Sequence, residues 1–290
     1  MTAREPVPER LARGPFTTRD GLRHGIGRHV LEGRAIARVT RGVHVVGHVD
    51  ETALLKGLLL VLPAGSVFSC HTSARLWSLP AGWTNSTHVH VQAPGQVRRA
   101  GVVAHVGVPD DVVRRHGLPV TSPVATFVDL AVHLDDAELL ACGDAIVRRG
   151  FTTVDGLVAA TATATRRRGS ARARRVASLV RPGVDSPMES LLRHVLTTAG
   201  LPEPEVNLDV VDSHGGWIAR PDLSYPDRRI AIEYDGRHHF DDRRQWENDI
   251  ARRHNLEDEG WVVRIATDRD VFVQADRFGA EMRALWRRRA

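Results

Sequence analysis

The chain has 290 residues, of which 42% are hydrophobic and 26% charged, and its formal net charge is +5. This length allows two domains, and the hydrophobic fraction is typical of an ordinary soluble globular protein rather than a disordered chain. The basic balance favours an anionic partner, although acidic and basic residues are intermixed along the chain.

The cysteine content and the apolar stretches exclude several classes of protein. Cys70 and Cys142 are the only cysteines, which is too few for a disulfide framework or a zinc site. The N-terminus is polar, and the longest apolar run, residues 54–62, contains Lys56 and Gly57 and is too short to cross a bilayer. The sequence therefore predicts a cytoplasmic protein with no membrane partner.

The N-terminal part predicts a flexible lead over residues 1–14 and a winged helix over residues 15–49. Two short helices, a glycine turn and a hairpin turning at residues 41–42 give this expectation. Basic side chains on the second helix and the hairpin are placed to meet DNA phosphates: Arg28, Arg34, Arg38 and Arg41. The alternative is a compact scaffold with a basic face that binds no DNA.

Residues 16–49 resemble the N-terminal winged-helix domain of the AbiEi-type antitoxin family. The resemblance lies in the order helix, glycine turn, helix and then a wing reading Arg-Gly-Val-aromatic-Val, here residues 41–45. It implies a DNA-binding regulator. The aromatic position of the wing holds His44, which departs from the family pattern.

Residues 50–165 predict a mixed α/β middle region that positions the other parts or forms a homodimer. Helices are expected at 52–62, 69–77, 121–134, 137–149 and 153–162, and a strand pair at 87–92 and 102–108. Four histidines in this region lack the spacing of a metal site and are expected to be surface or core residues rather than ligands: His71, His88, His90 and His105.

A run of arginines at 166–175 is the strongest local concentration of charge. It predicts a basic linker over residues 166–185, and either a solvated surface or phosphate contacts would explain it. The following C-terminal domain, residues 186–290, predicts the order α-β-β-β-α-β-α. Its helices are expected at 186–199, 243–259 and 276–289, and its strands at 206–211, 217–223, 229–234 and 261–265. This order indicates a mixed sheet flanked by helices, in a chain that is α+β overall.

Acidic residues lie within or directly after two neighbouring predicted strands of this sheet. Side chains alternate along a strand, so Glu233 and Asp235 share one face while Ile232 and Tyr234 share the other. With Asp222, they place three carboxylates in an otherwise apolar sheet, which is costly unless a cation lies among them. A divalent metal and an arginine are the two candidates.

Residues 186–289 resemble a bacterial domain family related to the very-short-patch-repair endonucleases, in the PD-(D/E)XK superfamily. The motifs are Pro221-Asp222, then Ile-Glu-x-Asp-Gly-x-x-His over residues 232–239, and then Asp249, Arg252, Leu256 and Gly260-Trp261. The resemblance implies a restriction-endonuclease-like fold and cleavage of DNA with Mg²⁺ or Mn²⁺. The acids it carries over are the first-helix Glu189, the metal ligands Asp222 and Glu233, and Asp235 of the extended motif. Asp235 or a backbone carbonyl is expected to add a further metal ligand.

The motif departs from the superfamily at the lysine that normally follows the second acid. Asp235 occupies that position, and Lys56, the only lysine, lies far away in the sequence. The base would then be His238 or His239, since histidine titrates near neutral pH. Arginines expected to clamp phosphate oxygens are Arg220, Arg237 and Arg252.

Simpler explanations exist for several of these residues. Glu189 fits the acid of a capping box, His239 fits a turn, and Asp249 and Arg252 are spaced as an ion pair on a helix. The sequence therefore leaves two main hypotheses, a metal-dependent DNA endonuclease and a non-catalytic DNA-binding regulator with a degenerate nuclease domain. A repair accessory protein that oligomerises through the middle region is a third.

Overall fold

A computed structural model divides the chain into two compact units. One comprises Met1–Leu76 and Trp83–Ala125, and the other Trp77–Gly82 and Thr126–Ala290. Both combine helices with sheets, so the predicted α+β class is confirmed. The structure describes residues 7–93, 95, 97–107, 109, 111–164, 167–236 and 243–290, with the backbone alone for 243–250.

The N-terminal part of the first unit pairs short helices with a small antiparallel sheet of order β1-β3-β2. Its elements are α1 (Glu9–Ala12), β1 (Phe16–Thr17), α2 (Thr18–Arg23), α3 (Arg28–Leu31), β2 (Ile36–Thr40) and β3 (Val43–Val46). Thr17 caps α2, because its Oγ1 accepts a hydrogen bond from the Asp20 N–H at 3.1 Å. Phe16, Leu31 and Ile36 share a small core. The helices and the β2–β3 hairpin follow the order expected of a winged helix.

The remainder of the first unit is built on a mixed sheet of order β6-β5-β4-β8-β7. Its elements are α4 (Glu51–Leu59), β4 (Val67–Phe68), α5 (Cys70–Leu76), β5 (Thr87–Val91), β6 (Val102–Val106), β7 (Val112–Arg115), β8 (Leu118–Thr121) and the start of α6 (Pro123–Leu130). β5 and β6 form the predicted strand pair and run parallel. β4, β7 and β8 were not predicted, because strands of two to four residues give too little alternation to recognise.

The second unit places a four-stranded sheet, of order β14-β13-β12-β9, among helices. Its helices are α7 (Asp136–Arg148), α8 (Val154–Thr163), α9 (Ser170–Ala177), α10 (Pro187–Thr198), α11 (Arg243–Asp258), α12 (Asp268–Phe272) and α13 (Ala275–Arg288). Its strands are β9 (Glu205–Val206), β10 (Val210–Val211), β11 (Trp217–Ala219), β12 (Leu223–Tyr225), β13 (Ile230–Tyr234) and β14 (Val262–Ala266). β13 pairs in parallel with β14 and antiparallel with β12, which gives the predicted mixed sheet.

Two predicted strands of this unit are each divided in the structure. The strand expected at 206–211 breaks after β9 at Asn207, whose φ of +48° is incompatible with a strand. The strand expected at 217–223 breaks between β11 and β12, where Pro221 has no N–H to contribute to a ladder. β10 and β11 instead form a separate hairpin.

The core of the second unit explains the alternation along β13. Ile230 and Ile232 are buried in a cluster with residues of α10, α12 and α13. Ala231 lies in a second cluster with Leu256 of α11. The predicted division of β13 into two faces is therefore confirmed, and Glu233 belongs to the face that α11 covers.

Residues 166–185, expected to be a basic linker, contribute a packed helix to the second unit. Val176 and Ala177 of α9 are completely buried, and Nη2 of Arg175 donates to Oδ1 of Asp136 at 2.9 Å. Further along, Nη2 of Arg193 on α10 lies 2.7 Å from Oδ2 of Asp144 on α7, with both side chains almost fully buried. The helices before residue 186 and the sheet after it therefore share one unit.

Every helix in the described part of the chain is too short or too polar to cross a membrane.

Candidate functional site

Three of the predicted acids come together at one end of the β12–β13 pair in the second unit. Asp222 immediately precedes β12, Glu233 is the fourth residue of β13, and Glu189 lies in the first turn of α10. The local sequence explains these positions, because Pro221 ends strand pairing just before Asp222 and alternation turns Glu233 away from the apolar core.

Asp222 is held in a partly desolvated position. Its Oδ2 accepts a hydrogen bond from the backbone N–H of Tyr234 at 2.7 Å. Burial raises the pKa of Asp222 from 3.8 to about 6, and the negative charges of Glu189 and Glu233 act in the same direction. The Tyr234 N–H and the Arg252 guanidinium oppose this rise. The three carboxylates therefore share one electrostatic environment.

Glu189 is buried, and its contacts reach beyond the helix cap. Oγ of Ser186 accepts from the Glu189 N–H at 3.2 Å, which caps α10 as predicted. The Glu189 carboxylate does not reach back to the cap residue as in a capping box. Its Oε2 instead accepts from the Asp185 N–H at 2.9 Å and from Nδ2 of Asn207 at 2.7 Å.

Asn207 is a component of the site that the sequence analysis missed. Its backbone N–H donates to the carbonyl oxygen of Asp222 at 3.0 Å, and its side chain also donates to the carbonyl oxygen of Gly183 at 2.9 Å. Its left-handed backbone turns the amide towards Glu189. Asparagine tolerates this conformation better than most residues, which is the signal that could have identified it.

Arg252 of α11 is the cation that contacts the acidic cluster. Its Nη2 lies 3.1 Å from Oε1 of Glu233. The partners expected of Arg252 from the sequence are a phosphate or Asp249, and the side chain of Asp249 lies outside the described residues. Among the side chains that the structure describes here, the guanidinium of Arg252 is the cation that faces the three carboxylates.

The other predicted site residues are placed differently or lie outside the described residues. Asp235 is exposed, and its backbone N–H donates to the carbonyl oxygen of Ala266 at 2.8 Å. Arg220 is half exposed, and its Nε donates to the carbonyl oxygen of Asn207 at 2.8 Å. The structure does not describe Arg237, His238 or His239.

In the acidic cluster, the described side chains that could supply oxygen ligands to a hard divalent cation are those of Glu189, Asp222 and Glu233. Mg²⁺ and Mn²⁺ prefer oxygen ligands, and carboxylates supply them. The hydrogen bonds and the ion pair above involve Oε2 of Glu189, Oδ2 of Asp222 and Oε1 of Glu233. A cation at this position would also offset the repulsion by Glu189 and Glu233, which adds to the effect of burial on the pKa of Asp222.

The arginines predicted to contact DNA lie on the surface of the first unit. Arg28 and Arg38 line a groove of about 510 Å³ together with Thr18 and His44. Arg34 is exposed in the loop after α3. His44, at the position where the predicted wing expects an aromatic residue, is buried, and its Nε2 lies 2.9 Å from Oγ1 of Thr18.

A second concave basic surface lies beside the tip of the β2–β3 hairpin. It has a volume of about 640 Å³ and is lined by Arg41, Arg98 and Arg99, among other residues. Nη1 of Arg99 donates to the carbonyl oxygen of Arg41 at 3.1 Å. Arg98 and Arg99 lie close to the predicted wing in the structure. The sequence does not indicate this proximity, because nearly 60 residues separate them from Arg41 along the chain.

No family model matches the chain. It is similar to two proteins of Mycobacterium tuberculosis, "Uncharacterized protein MT2308" of strain CDC 1551 / Oshkosh and "Uncharacterized protein Rv2248" of strain ATCC 25618 / H37Rv. Each is 29% identical over 230 residues, which cover 79% of this chain and 84% of the relative. These descriptions name no activity, so a functional proposal depends on the residues of the site.

Proposed function

We propose that the protein is a metal-dependent DNA endonuclease whose acidic centre is formed by Glu189, Asp222 and Glu233. The observation that carries this proposal is the convergence of the three carboxylates. Asn207 donates from its side chain to Glu189 and from its backbone to the carbonyl oxygen of Asp222. The N–H of Tyr234, next to Glu233, donates to the Asp222 carboxylate. The pKa of Asp222, raised to about 6 first by burial and then by the two neighbouring carboxylates, agrees with this proximity. A structural acid would be expected to have its charge compensated. The three carboxylates, which face the guanidinium of Arg252 among the described side chains, lie where the PD-(D/E)XK resemblance expects metal ligands.

Asp222 and Glu233 would hold Mg²⁺ or Mn²⁺, with Glu189 or Asp235 able to contribute a further oxygen. A bound divalent ion would acidify a water molecule and offset charge on the scissile phosphate. The Tyr234 N–H fixes one oxygen of Asp222, and Asn207 fixes one oxygen of Glu189. These contacts hold the carboxylates in place before a ligand arrives.

The remaining roles rest on the sequence. His238 or His239 would accept the proton of the attacking water, and Arg220 or Arg237 would contact phosphate oxygens. Arg28, Arg34, Arg38 and Arg41 would contribute DNA affinity through phosphate contacts. The homodimer through the middle region, and a role as a repair accessory protein, stay predictions.

A second candidate function is a DNA-binding regulator without nuclease activity, and one contact favours it. Arg252 lies against Glu233, where a guanidinium competes with a metal ion for the same carboxylate. Asp235 also stands in place of the activating lysine. In that case the acidic cluster, paired with Arg252, would only stabilise the second unit. The function of the protein would then be DNA binding by the first unit, without cleavage.

Metal-dependent cleavage separates the two candidates. The purified protein is incubated with supercoiled plasmid and with mismatched duplexes, in Mg²⁺, Mn²⁺ or chelator. We expect nicking that requires metal and is lost in Asp222→Asn and Glu233→Gln but retained in Asp227→Asn, an exposed aspartate in the β12–β13 turn. Metal-dependent activity that persists in both site variants would refute the site. Inactivity of the wild type on all substrates, with duplex binding retained, would favour the regulator.

The role of the first unit is tested by duplex binding at several salt concentrations. Replacing Arg28 and Arg34 with alanine removes two exposed charges, so the slope of log affinity against log salt should fall by about 2 if both contact phosphates. Arg13→Ala, which removes an exposed arginine paired with Glu9, serves as the control. An unchanged slope in the double variant would exclude this surface from the interface.

A further inference from the structure

A cysteine and two histidines of the first unit come together although they are distant in sequence. Sγ of Cys70 lies 3.5 Å from Nε2 of His105, and Nδ1 of His88 lies 3.0 Å from the same nitrogen. The candidate ligand atoms all lie within 4.8 Å of one another. We propose that Cys70, His88 and His105 bind a Zn²⁺ ion that is separate from the acidic centre.

The distances match those of a tetrahedral zinc site. Zn–S bonds of about 2.3 Å and Zn–N bonds of about 2.0–2.1 Å at tetrahedral angles place sulfur about 3.6 Å from nitrogen and two nitrogens about 3.3 Å apart. The observed separations of 3.5 Å and 3.0 Å require shifts of a few tenths of an ångström. Two of the three separations thus agree with tetrahedral ligation, and the third, between Cys70 and His88, lies within 4.8 Å.

Local structure directs these side chains towards one another. Cys70 is the first residue of α5, separated from β4 by Ser69 alone, and has a φ of +47°, a conformation that residues with a side chain rarely adopt. His88 lies on β5 and His105 on β6, and in this parallel pair His105 is in register with His90. His88 and His90 are two residues apart, so alternation places both on the face that His105 shares.

The chemistry of the donors favours zinc over the cations suited to the acidic centre. A thiolate and two imidazoles are borderline-soft ligands that select Zn²⁺ and related transition metals, whereas Mg²⁺ prefers oxygen. Cys70 and His88 are buried and His105 is half-buried, which protects a bound ion from exchange. Three protein ligands leave a fourth tetrahedral position for a further donor.

The position of the site indicates a structural role. β6 is an edge strand of its sheet, and its Val103 and Val106 are exposed, so few apolar contacts hold it. A metal bound by His105 would tie this edge strand to β5 and to the start of α5. Loss of the ion should therefore loosen β6 first, before the rest of the unit.

Metal analysis of the purified full-length protein tests the proposal. We expect zinc in about equimolar amount in the wild type, a loss of most of it in Cys70→Ser and in His105→Gln, and full retention in Cys142→Ser. Cys142 is the matched control, because it is also a buried cysteine but belongs to α7 in the second unit. Asp222→Asn should also retain zinc, which separates this site from the acidic centre.

Cobalt substitution provides a test that does not require a variant to fold. Wild-type protein stripped with chelator and given Co²⁺ should develop the visible bands of tetrahedral cobalt and a thiolate charge-transfer band. Both should disappear on acidification, as the ligands become protonated, and on addition of one equivalent of Zn²⁺. Wild-type protein that contains no zinc and gives no such bands would overturn the proposal, as would Cys70→Ser with undiminished zinc content.

Discussion

Replacing Asp222 with asparagine should make the protein more stable while abolishing metal-dependent cleavage. The shift of the Asp222 pKa from 3.8 to about 6 means that its charged form is disfavoured in the folded state. Two pKa units correspond to about 3 kcal/mol, taken as an upper limit because solvent screens part of this half-buried site. Asparagine keeps an oxygen that can accept the Tyr234 N–H, so we expect a gain of about 1–3 kcal/mol near neutral pH.

The pH dependence of this gain follows from the sign of the shift. Since the folded-state pKa lies above the unfolded one, the unfavourable charge is fully present only above about pH 6. As the pH falls towards 3.8, the folded protein takes up the proton first, and the cost of the charge disappears. The stability difference between variant and wild type should therefore be largest at alkaline pH and close to zero in acid.

Urea unfolding of both proteins across this pH range, without divalent metal, measures the effect. Asp227→Asn is the control, since its exposed carboxylate should give no pH-dependent difference. Mg²⁺ or Mn²⁺ should stabilise the wild type at neutral pH and leave Asp222→Asn unchanged, because binding to the folded state adds stability. If Asp222→Asn were less stable than the wild type at neutral pH, or if the stability difference did not change with pH, the charged form of Asp222 would not be disfavoured in the folded protein.

Two further substitutions test the framework around the site. Arg193→Met should lower the free energy of unfolding by about 3–5 kcal/mol, because it leaves the buried carboxylate of Asp144 without its ion-pair partner. Adding Asp144→Leu should restore much of this loss. Urea unfolding that shows no recovery in the double variant would contradict this account. Asn207→Ala should destabilise more than Asn207→Gly by about 1 kcal/mol, since both lose the hydrogen bond to Glu189 but only alanine strains the left-handed backbone. Equal losses in thermal unfolding would mean that backbone conformation is not what asparagine provides there.

The sequence predicts the regular parts of the second unit well, because local patterns determine them. Alternation in Ile230–Tyr234 separates the core face from the acidic face, and Ser186 and Pro187 mark the start of α10. The proximity of Asp222 and Glu233 follows from the antiparallel pairing of consecutive strands. Glu189 was predicted only by resemblance, and its packing against Asn207 was not.

The features that the sequence does not reveal depend on contacts between distant residues. The cluster of Cys70, His88 and His105 has no motif spacing, because a parallel strand pair and a strand–helix junction bring its members together. Arg193 would be expected on the surface of an amphipathic helix, yet it is fully buried because Asp144 lies on a neighbouring helix. The run of arginines before residue 176 likewise suggests a linker, because the sequence does not show the contacts with distant residues that pack α9 in the structure.

The buried pair of Arg193 and Asp144 also determines where the chain can be divided to obtain a stable fragment. A fragment beginning at Ser186 would contain the acidic centre but lose α7, and with it the carboxylate that Arg193 contacts in the core. Such a fragment would expose the apolar face of α10 and leave a charge that needs a partner. A fragment that folds with this centre should therefore begin before α7. The same boundary is expected wherever evolution or engineering has joined this centre to another protein.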